Sequence, residues 1–107
     1  MAENFTPLTF KEAQEMIAHT PCVVLDVRDE DEYWGGHVKG ARSLPLDSFS
    51  PSTLSAALPD RKVPVLTYCR SGARSREAAE ALCRAGYENV YNIGSLVGWP
   101  YGLTYGD

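Results

Sequence analysis

Two continuous apolar runs constrain the fold of this chain more than any other feature. One is Cys22-Val-Val-Leu-Asp-Val, and the other extends from Val63 to Tyr68. Uninterrupted β-branched and aliphatic runs of this length are typical of strands that are buried on both faces of a parallel sheet. Parallel strands require a crossover connection between them, and that connection is normally a helix. The sequence therefore predicts an α/β domain in which helices flank a central, mostly parallel sheet.

Helix signals occupy the stretches between and around these runs. Thr9 and Glu12 have the spacing of a capping box, in which each side chain accepts the backbone N–H of the other residue. Such signals and the spacing of apolar residues predict helices over residues 10–18, 29–34, 51–58 and 75–85. Two further short strands are predicted, within residues 38–46 and over residues 89–93.

Composition excludes several classes of protein. The 107 residues carry 10 basic and 14 acidic side chains, a net charge of −4, so the overall charge does not favour nucleic acid or an anionic membrane. Apolar residues make up 44 % of the chain, as in folded domains, and no apolar run is long enough for a membrane helix. We therefore expect one soluble domain over residues 1–107. Residues 1–7 lack the features of a secretion signal or transit peptide, which makes the cytoplasm the expected location.

The three cysteines, Cys22, Cys69 and Cys83, are too widely spaced for a disulfide framework or a C-x-x-C site. The chain has only two histidines besides, so a structural metal site is not expected. Cys22 begins a buried strand and Cys83 lies on the apolar face of a predicted helix, which gives both of them a packing role. Cys69 is left as the candidate reactive cysteine.

Cys69 opens the segment Cys69-Arg-Ser-Gly-Ala-Arg74, which joins the end of a predicted strand to the start of a helix. Ligands of open α/β sheets bind at the carboxyl ends of the strands. The free N–H groups and the positive dipole of a helix N-terminus favour an anion at the same place. Gly72 and its small neighbours let the backbone curl tightly, so that successive amides converge in an anion-binding nest.

The charge of this segment is opposite to that of the whole chain. Arg70, Arg74 and Arg76 place three of the 10 basic residues in a stretch, residues 69–76, that holds no acidic residue. Guanidinium groups and a helix N-terminus stabilise a thiolate, which is the nucleophilic form of cysteine. The same donors would bind an anionic substrate. The alternative is a buried structural cysteine ahead of an arginine-rich helix start that faces solvent.

Three ordered motifs resemble those of the single-domain rhodaneses, the thiosulfate sulfurtransferase family. Residues 69–74 are similar to the family's active-site loop, C-R-x-G-x-R. Residues 25–28, 32–33 and 36–41, which come before Pro45-Leu46, are similar to the family's L-D-V-R…E-[YF]-x-x-G-H-I-x-G-A…[IL]-P segment, with Val38 at the I position. Residues 85–92 look like the family's A-G-[FY]-x-x-V-x-N, and Trp99 matches a late tryptophan. The resemblance covers about residues 7–101.

This resemblance implies a rhodanese-like, three-layer domain with sulfurtransferase activity. Cys69 would take a sulfane sulfur from an anionic donor such as thiosulfate and pass it, as a persulfide, to cyanide or a thiol. The side chains of Arg70 and Arg74 would attract the donor. The outer sulfur would be held by the backbone amides of Arg70, Ser71, Gly72, Ala73, Arg74 and Ser75. No cofactor or metal is implied, because sulfur is itself the redox-active carrier, and no nucleic-acid or membrane partner is expected.

Three alternatives stay open at this point. Phosphatases and arsenate reductases on the same scaffold resemble C-x-x-x-x-x-R, one residue longer than the four-residue spacing between Cys69 and Arg74, and often have a histidine where Tyr68 stands. Non-catalytic rhodanese-like modules commonly lack the cysteine that this chain retains. A carrier in a protein sulfur relay would use the same chemistry with a protein as the sulfur acceptor.

Several other residues are expected to have structural roles. His37 is predicted to form a structural hydrogen bond rather than to act as a general base. Asp26 and Arg28 are predicted to form an ion pair or a hydrogen-bonded turn. The acidic residues 29–32 are interpreted as a helix start with a solvated face. Packing roles, with the two tryptophans as candidates for a pocket rim, are predicted for Trp34, Trp99, Tyr101 and Tyr105.

Overall fold

A five-stranded parallel sheet organises residues 4–105, which are the residues that the computed structural model describes. In chain order the strands are β1 (Thr6–Pro7), β2 (Val23–Asp26), β3 (Arg42–Ser43), β4 (Val65–Cys69) and β5 (Val90–Ser95). They lie side by side in the order β1-β5-β4-β2-β3, so β4 is the central strand. The helices are α1 (Phe10–His19), α2 (Glu30–Trp34), α3 (Pro51–Ala57) and α4 (Ala73–Arg84), with a 3-10 turn at Leu46–Ser48.

Two apolar clusters cover the two faces of the sheet, because successive side chains of a strand point to opposite sides. On β4, Val65 and Cys69 pack into the cluster that contains buried residues of α3 and α4. Leu66 and Tyr68 belong to the other cluster, together with buried residues of α1 and α2. The predicted three-layer α/β architecture is therefore confirmed, and the side chain of Cys69 lies on the α4 side of the sheet.

The helix starts confirm the capping predictions. Thr9 and Glu12 form both hydrogen bonds of a capping box at the start of α1. The same box caps α2, and the helix ends at Gly35. At the start of α3, Pro51 follows an N-cap serine whose hydroxyl accepts the N–H of Thr53. These local signals placed α1 to within one residue of its observed end.

Three features differ from the sequence predictions. Strand β5 ends at Ser95, two residues beyond the predicted end at residue 93. The edge strand β1 was not predicted, because its two exposed residues show no apolar alternation, and it is defined only by pairing with β5. Helix α4 begins at Ala73, two residues before the predicted start. Its N-cap is Gly72 in the left-handed conformation, φ 96°, with no side-chain cap, so the usual Ser, Thr, Asp or Asn signal is missing.

A buried polar network joins the carboxyl ends of β2 and β4. Asp26 is fully buried and accepts hydrogen bonds from the backbone and guanidinium of Arg28 and from the Tyr68 hydroxyl, at 2.6 to 3.1 Å. Arg28 also donates to the carbonyl of Gly36, and the Tyr68 hydroxyl accepts the N–H of Val38. The predicted ion pair between Asp26 and Arg28 is therefore confirmed as structural. It fixes the backbone that leads into the segment after β4.

No helix within the described range is long and apolar enough to cross a membrane.

Candidate active site

Cys69 is the last residue of β4, and its sulfur lies over the start of α4. The residue is fully buried, and its Sγ accepts the backbone N–H of Gly72 at 2.9 Å and that of Ser75 at 3.3 Å. Both donors belong to the first turn of α4 or its cap, where N–H groups have no partner inside the helix. Of the six amides expected to converge here, those of Gly72 and Ser75 are the two that bond to the Cys69 sulfur in the described residues. Partial positive charge of this kind stabilises a thiolate or a sulfur-bound anion.

The loop between β4 and α4 is fixed by side chains on both sides. The hydroxyl of Ser75 donates to the carbonyl of Gly72 at 3.1 Å, and Thr67 in turn donates to the carbonyl of Ser75 at 3.1 Å. From β5, the hydroxyl of Ser95 donates to the carbonyl of Arg70 at 2.5 Å. Gly72 has a positive φ that other residues adopt only with strain. The segment is therefore a rigid turn.

The three arginines of the segment have different surroundings. Arg70, directly after Cys69, is exposed, as are Ser71 and Ala73. Arg74 is engaged by Glu32 of α2 in a bidentate pair, with Nη1–Oε1 at 2.8 Å and Nη2–Oε2 at 3.2 Å. Arg76 pairs with Glu80 one turn along the same helix. Of the two guanidinium groups expected to attract the donor, the structure leaves that of Arg70 facing solvent and ties that of Arg74 to α2.

Glu32 has a larger role than the sequence interpretation assigned to it. Its carboxylate accepts the Asp29 N–H as part of the α2 cap and also the Arg74 guanidinium, so it links α2 to the first turn of α4. The hydrogen bond to Arg74 is the main reason that the pKa of Glu32 is lowered, and the same bond raises the pKa of Arg74. The description of residues 29–32 as a solvated face is therefore wrong for Glu32, although Asp29 is exposed as expected.

The other cysteines lie away from this turn, in packing positions. Cys22 is half-buried beside α1, and burial raises the pKa of its thiol. Cys83 is half-buried against the cluster on the α4 side of the sheet.

His37 is fully buried, and its ring stacks on that of Tyr33 with the centroids 3.8 Å apart. Its Nδ1 lies 2.9 Å from the Tyr33 carbonyl oxygen, as expected for a structural hydrogen bond.

The packing predictions for the aromatic residues are only partly correct. Trp99 contacts Phe10 edge to face, with ring centroids 5.3 Å apart, and is half-buried. Trp34 and Tyr101 also make edge-to-face contacts, with Tyr33 and Trp99 respectively, although they are 51 % and 45 % exposed. Tyr105, by contrast, is 70 % exposed. Aromatic character indicates burial on average but does not identify which rings a short domain leaves at its surface.

Comparison with known proteins decides the family. The rhodanese-like domain family matches residues 9–100, which is most of the chain and includes the whole segment from Cys69 to Ser75. This chain belongs to the rhodanese-like family. The resemblance seen in the sequence motifs is thereby confirmed, and it agrees with the three-layer fold.

Relatives within the rhodanese-like family include proteins named as thiosulfate sulfurtransferases. PspE of Escherichia coli strain K12 is 38 % identical over 72 residues, covering 67 % of this chain and 68 % of its own. GlpE of Coxiella burnetii strain RSA 331 is 31 % identical over 96 residues, covering 89 % of this chain and 87 % of its own. A solved structure titled "rhodanese with anions from E. coli" is 33 % identical, with a TM-score of 0.71 over 78 % of this chain and 98 % of its own. These relatives support sulfur transfer as the general class of activity.

Three residues that support the segment from Cys69 to Ser75 were not predicted from the sequence. Ser95 of β5 bonds to Arg70 in the loop. Thr67 of β4 and Glu32 of α2 bond to Ser75 and Arg74 in the first turn of α4. Thr67 carried a usable signal, because it is a polar residue inside an otherwise apolar, fully buried strand. Glu32 carried another, because it lies in the E-[YF] element of the family pattern. No local signal marks Ser95.

We predict that the link between Glu32 and Arg74 stabilises the fold at neutral pH and not in acid. The pKa of Glu32 is lower in the folded chain than in the unfolded chain, so the stabilisation is present above the unfolded value, about 4.3, and is lost as the pH falls through the folded value. Both side chains are partly exposed, which limits the effect to about 1 kcal/mol. Urea unfolding of Glu32→Gln and of the native chain should differ at pH 7, and the difference should shrink as the pH falls below the unfolded value and through the lower folded one.

Glu30→Gln is the matched control, since Glu30 is exposed on the same helix. The ion pair between Glu32 and Arg74 has no stabilising role if Glu32→Gln and Glu30→Gln unfold at the same urea concentration at pH 7.

Proposed function

We propose that this protein transfers a sulfane sulfur from thiosulfate, or a similar anionic donor, to a thiophilic acceptor through a persulfide on Cys69. The observation that carries the proposal is the pair of backbone N–H groups, from Gly72 and Ser75, directed at the Cys69 sulfur at the N-terminus of α4. The names of the relatives support the same chemistry.

In the first half-reaction, the Cys69 thiolate attacks the outer sulfur of thiosulfate. A sulfur–sulfur bond forms to Cys69, the original sulfur–sulfur bond breaks, and sulfite leaves with its electron pair. The product is a Cys69 persulfide anion, so the charge of the reactants is conserved. The amides of the turn are donors that stabilise this negative charge without reorganising, because the loop is already fixed from both sides.

In the second half-reaction, an acceptor takes the outer sulfur. Cyanide attacks it through carbon, the sulfur–sulfur bond to Cys69 breaks, and its electron pair returns to Cys69 as the thiolate, with thiocyanate as the product. A thiolate acceptor leaves as its own persulfide in the same way. Neither step requires a resident metal or organic cofactor, because each is a displacement at the sulfane sulfur in which the attacking nucleophile supplies an electron pair and the leaving group takes one away.

The exposed Arg70 is the side chain best placed to attract the donor, because it follows Cys69 directly. Arg74 contributes positive charge as well, but its guanidinium is already bonded to Glu32 at two points. We therefore assign Arg70 to donor attraction, and Arg74 both to donor attraction at longer range and to holding the turn. The amides from Arg70 to Ser75 form the remaining donor set.

The phosphatase alternative is tested by a direct comparison of substrates. The turn from Cys69 to Arg74 is one residue shorter than a phosphatase loop, and two of its amides are occupied by the Cys69 sulfur itself. We expect thiocyanate to form from thiosulfate and cyanide, with no hydrolysis of p-nitrophenyl phosphate above the rate without protein. Efficient phosphate release, with no thiocyanate, would reverse this assignment.

In the sulfur-relay alternative, a protein accepts the outer sulfur of the same Cys69 persulfide. The two functions differ only in the second half-reaction. Incubating the persulfide form with cyanide, with a small thiol and with a cysteine-containing protein separates them by the rate at which each one removes the outer sulfur.

A further inference from the structure

A cavity of about 370 Å³ lies between α3 and α4, on the α4 side of the sheet. Its apolar wall includes Phe49 and Leu54 on one side and Ala81 and Ala85 on the other. Arg61 and Arg84 also line it, and the lining contains no acidic residue. The volume is within the usual range for small-molecule sites, which are mostly apolar with a few fixed polar groups.

The guanidinium of Arg61 is held in place by its surroundings. It lies over the ring of Tyr87, with Cζ 4.5 Å from the centroid. Its Nη1 donates to the Tyr87 hydroxyl at 2.9 Å, and its Nη2 donates to the Ser55 hydroxyl at 3.2 Å. All these partners are neutral, and no ion pair in the described part of the chain involves Arg61. A pre-positioned positive charge at an apolar cavity is thus left without a carboxylate.

We propose that this cavity binds a small amphipathic carboxylate, an aliphatic or aromatic body that carries one carboxylate group. The apolar body would displace water from the wall formed by Phe49, Leu54 and Ala81, while the carboxylate pairs with Arg61. A single carboxylate fits better than a phosphate dianion, because both Nη atoms of Arg61 already donate to Tyr87 and Ser55, which leaves few donors for a dianion. The hydroxyl of Ser50, the other polar group of the lining, is already used to cap α3.

This site is separate from the candidate active site. Ala81 and Ala85 follow the first residue of α4, Ala73, by eight and twelve positions, which corresponds to roughly 12 and 18 Å along the helix. Binding at the cavity is therefore a second function that does not depend on Cys69 or on sulfur transfer. It can be measured on the whole chain without any assay of catalysis.

The test uses 4-phenylbutyrate and its uncharged analogue 4-phenylbutanol as probes, with binding followed by amide chemical shifts. For a ligand of this size we expect the carboxylate to saturate with a dissociation constant on the order of 0.1–1 mM. The shifts should centre on Ala81 and Ala85. The alcohol should bind about tenfold more weakly, because it lacks the charge-assisted hydrogen bond to Arg61.

Two variants separate the charge from the cavity. Arg61→Gln should reduce the affinity for 4-phenylbutyrate about tenfold and leave that for 4-phenylbutanol nearly unchanged. Ala81→Phe should abolish binding of both probes by filling the cavity. Lys11→Gln, an exposed change on α1 in the opposite helix layer, should alter neither.

Any of three results overturns the proposal. The first is the absence of saturable binding to the native chain, and the second is equal affinity for the acid and the alcohol. The third is a set of shifts centred on the Cys69 turn, which would mean that the carboxylate binds as an anion in the candidate active site.

Discussion

Replacing Cys69 by serine is expected to lower thiocyanate formation from thiosulfate and cyanide by about 10³-fold or more, as loss of a nucleophile does in other covalent enzymes. Serine is close to cysteine in size and can accept the same N–H groups from Gly72 and Ser75, so the turn should keep its shape. A hydroxyl cannot take up a sulfane sulfur to form a persulfide. The rate should therefore fall through the loss of chemistry rather than through unfolding.

The matched controls for this prediction are the other two cysteines. Cys22→Ser and Cys83→Ala change half-buried packing positions and should keep the activity within about twofold, since neither thiol lies in the turn. Thermal unfolding of all three variants checks that the fold is retained. Substantial thiocyanate formation by Cys69→Ser would contradict the assignment of Cys69 as the nucleophile. So would the loss of this activity in a folded Cys83→Ala variant.

Replacing Asp26 by asparagine is expected to lower the free energy of unfolding by about 3–5 kcal/mol, because it removes one partner of a buried ion pair. Asp26 is fully buried and accepts from both Arg28 and Tyr68, so the change leaves the Arg28 guanidinium buried without its counter-charge. For a chain of this size such a loss should lower the melting temperature by more than about 10 °C. Urea unfolding followed by circular dichroism measures the effect.

Asp47→Asn is the matched control, since Asp47 is an exposed carboxylate in the 3-10 turn and its change should cost less than about 0.5 kcal/mol. Tyr68→Phe removes the hydrogen bond to Asp26 and the one accepted from the Val38 N–H, and it should cost an intermediate amount, about 1–3 kcal/mol. If Asp26→Asn were as stable as Asp47→Asn, the network would not be what holds the ends of β2 and β4 together.

The sequence predicted the elements whose determinants are local. The apolar runs indicated β2 and β4, and the capping box at Thr9 placed α1 nearly residue for residue, because both depend on residues close together in the chain. The position of Cys69 at the end of a strand that leads into a helix was predicted from residues that are also close together in the chain. These signals were sufficient to predict the layer architecture and to locate the candidate active site.

The contacts that complete the site depend on residues far apart in the chain. Arg74 and Glu32 are separated by 42 positions, and no periodicity relates them. The bond from Ser95 to Arg70 likewise depends on β5 lying beside β4, a pairing that includes an irregular register near Thr67. Local patterns therefore identified the candidate nucleophile and the segment whose amides bond to its sulfur, while the residues that hold this segment could be identified only in the folded arrangement.

The folded structure distinguishes Arg70 from Arg74, which the sequence does not. Sequence spacing made Arg70 and Arg74 look equivalent, since both flank the same glycine. In the folded chain one is exposed and the other is bonded to a carboxylate at two points. We therefore interpret the electropositive character of the segment as arising mainly from the α4 N-terminus and Arg70, with Arg74 partly neutralised by Glu32.

The most direct test of the central claim is the intact mass of the protein after incubation with thiosulfate. A persulfide on Cys69 predicts the addition of one sulfur atom, its removal by cyanide or a reductant, and its absence in Cys69→Ser. The Cys22→Ser and Cys83→Ala variants should gain the same mass as the native chain. No added sulfur in the native chain, or an added sulfur that persists in Cys69→Ser, would contradict the account.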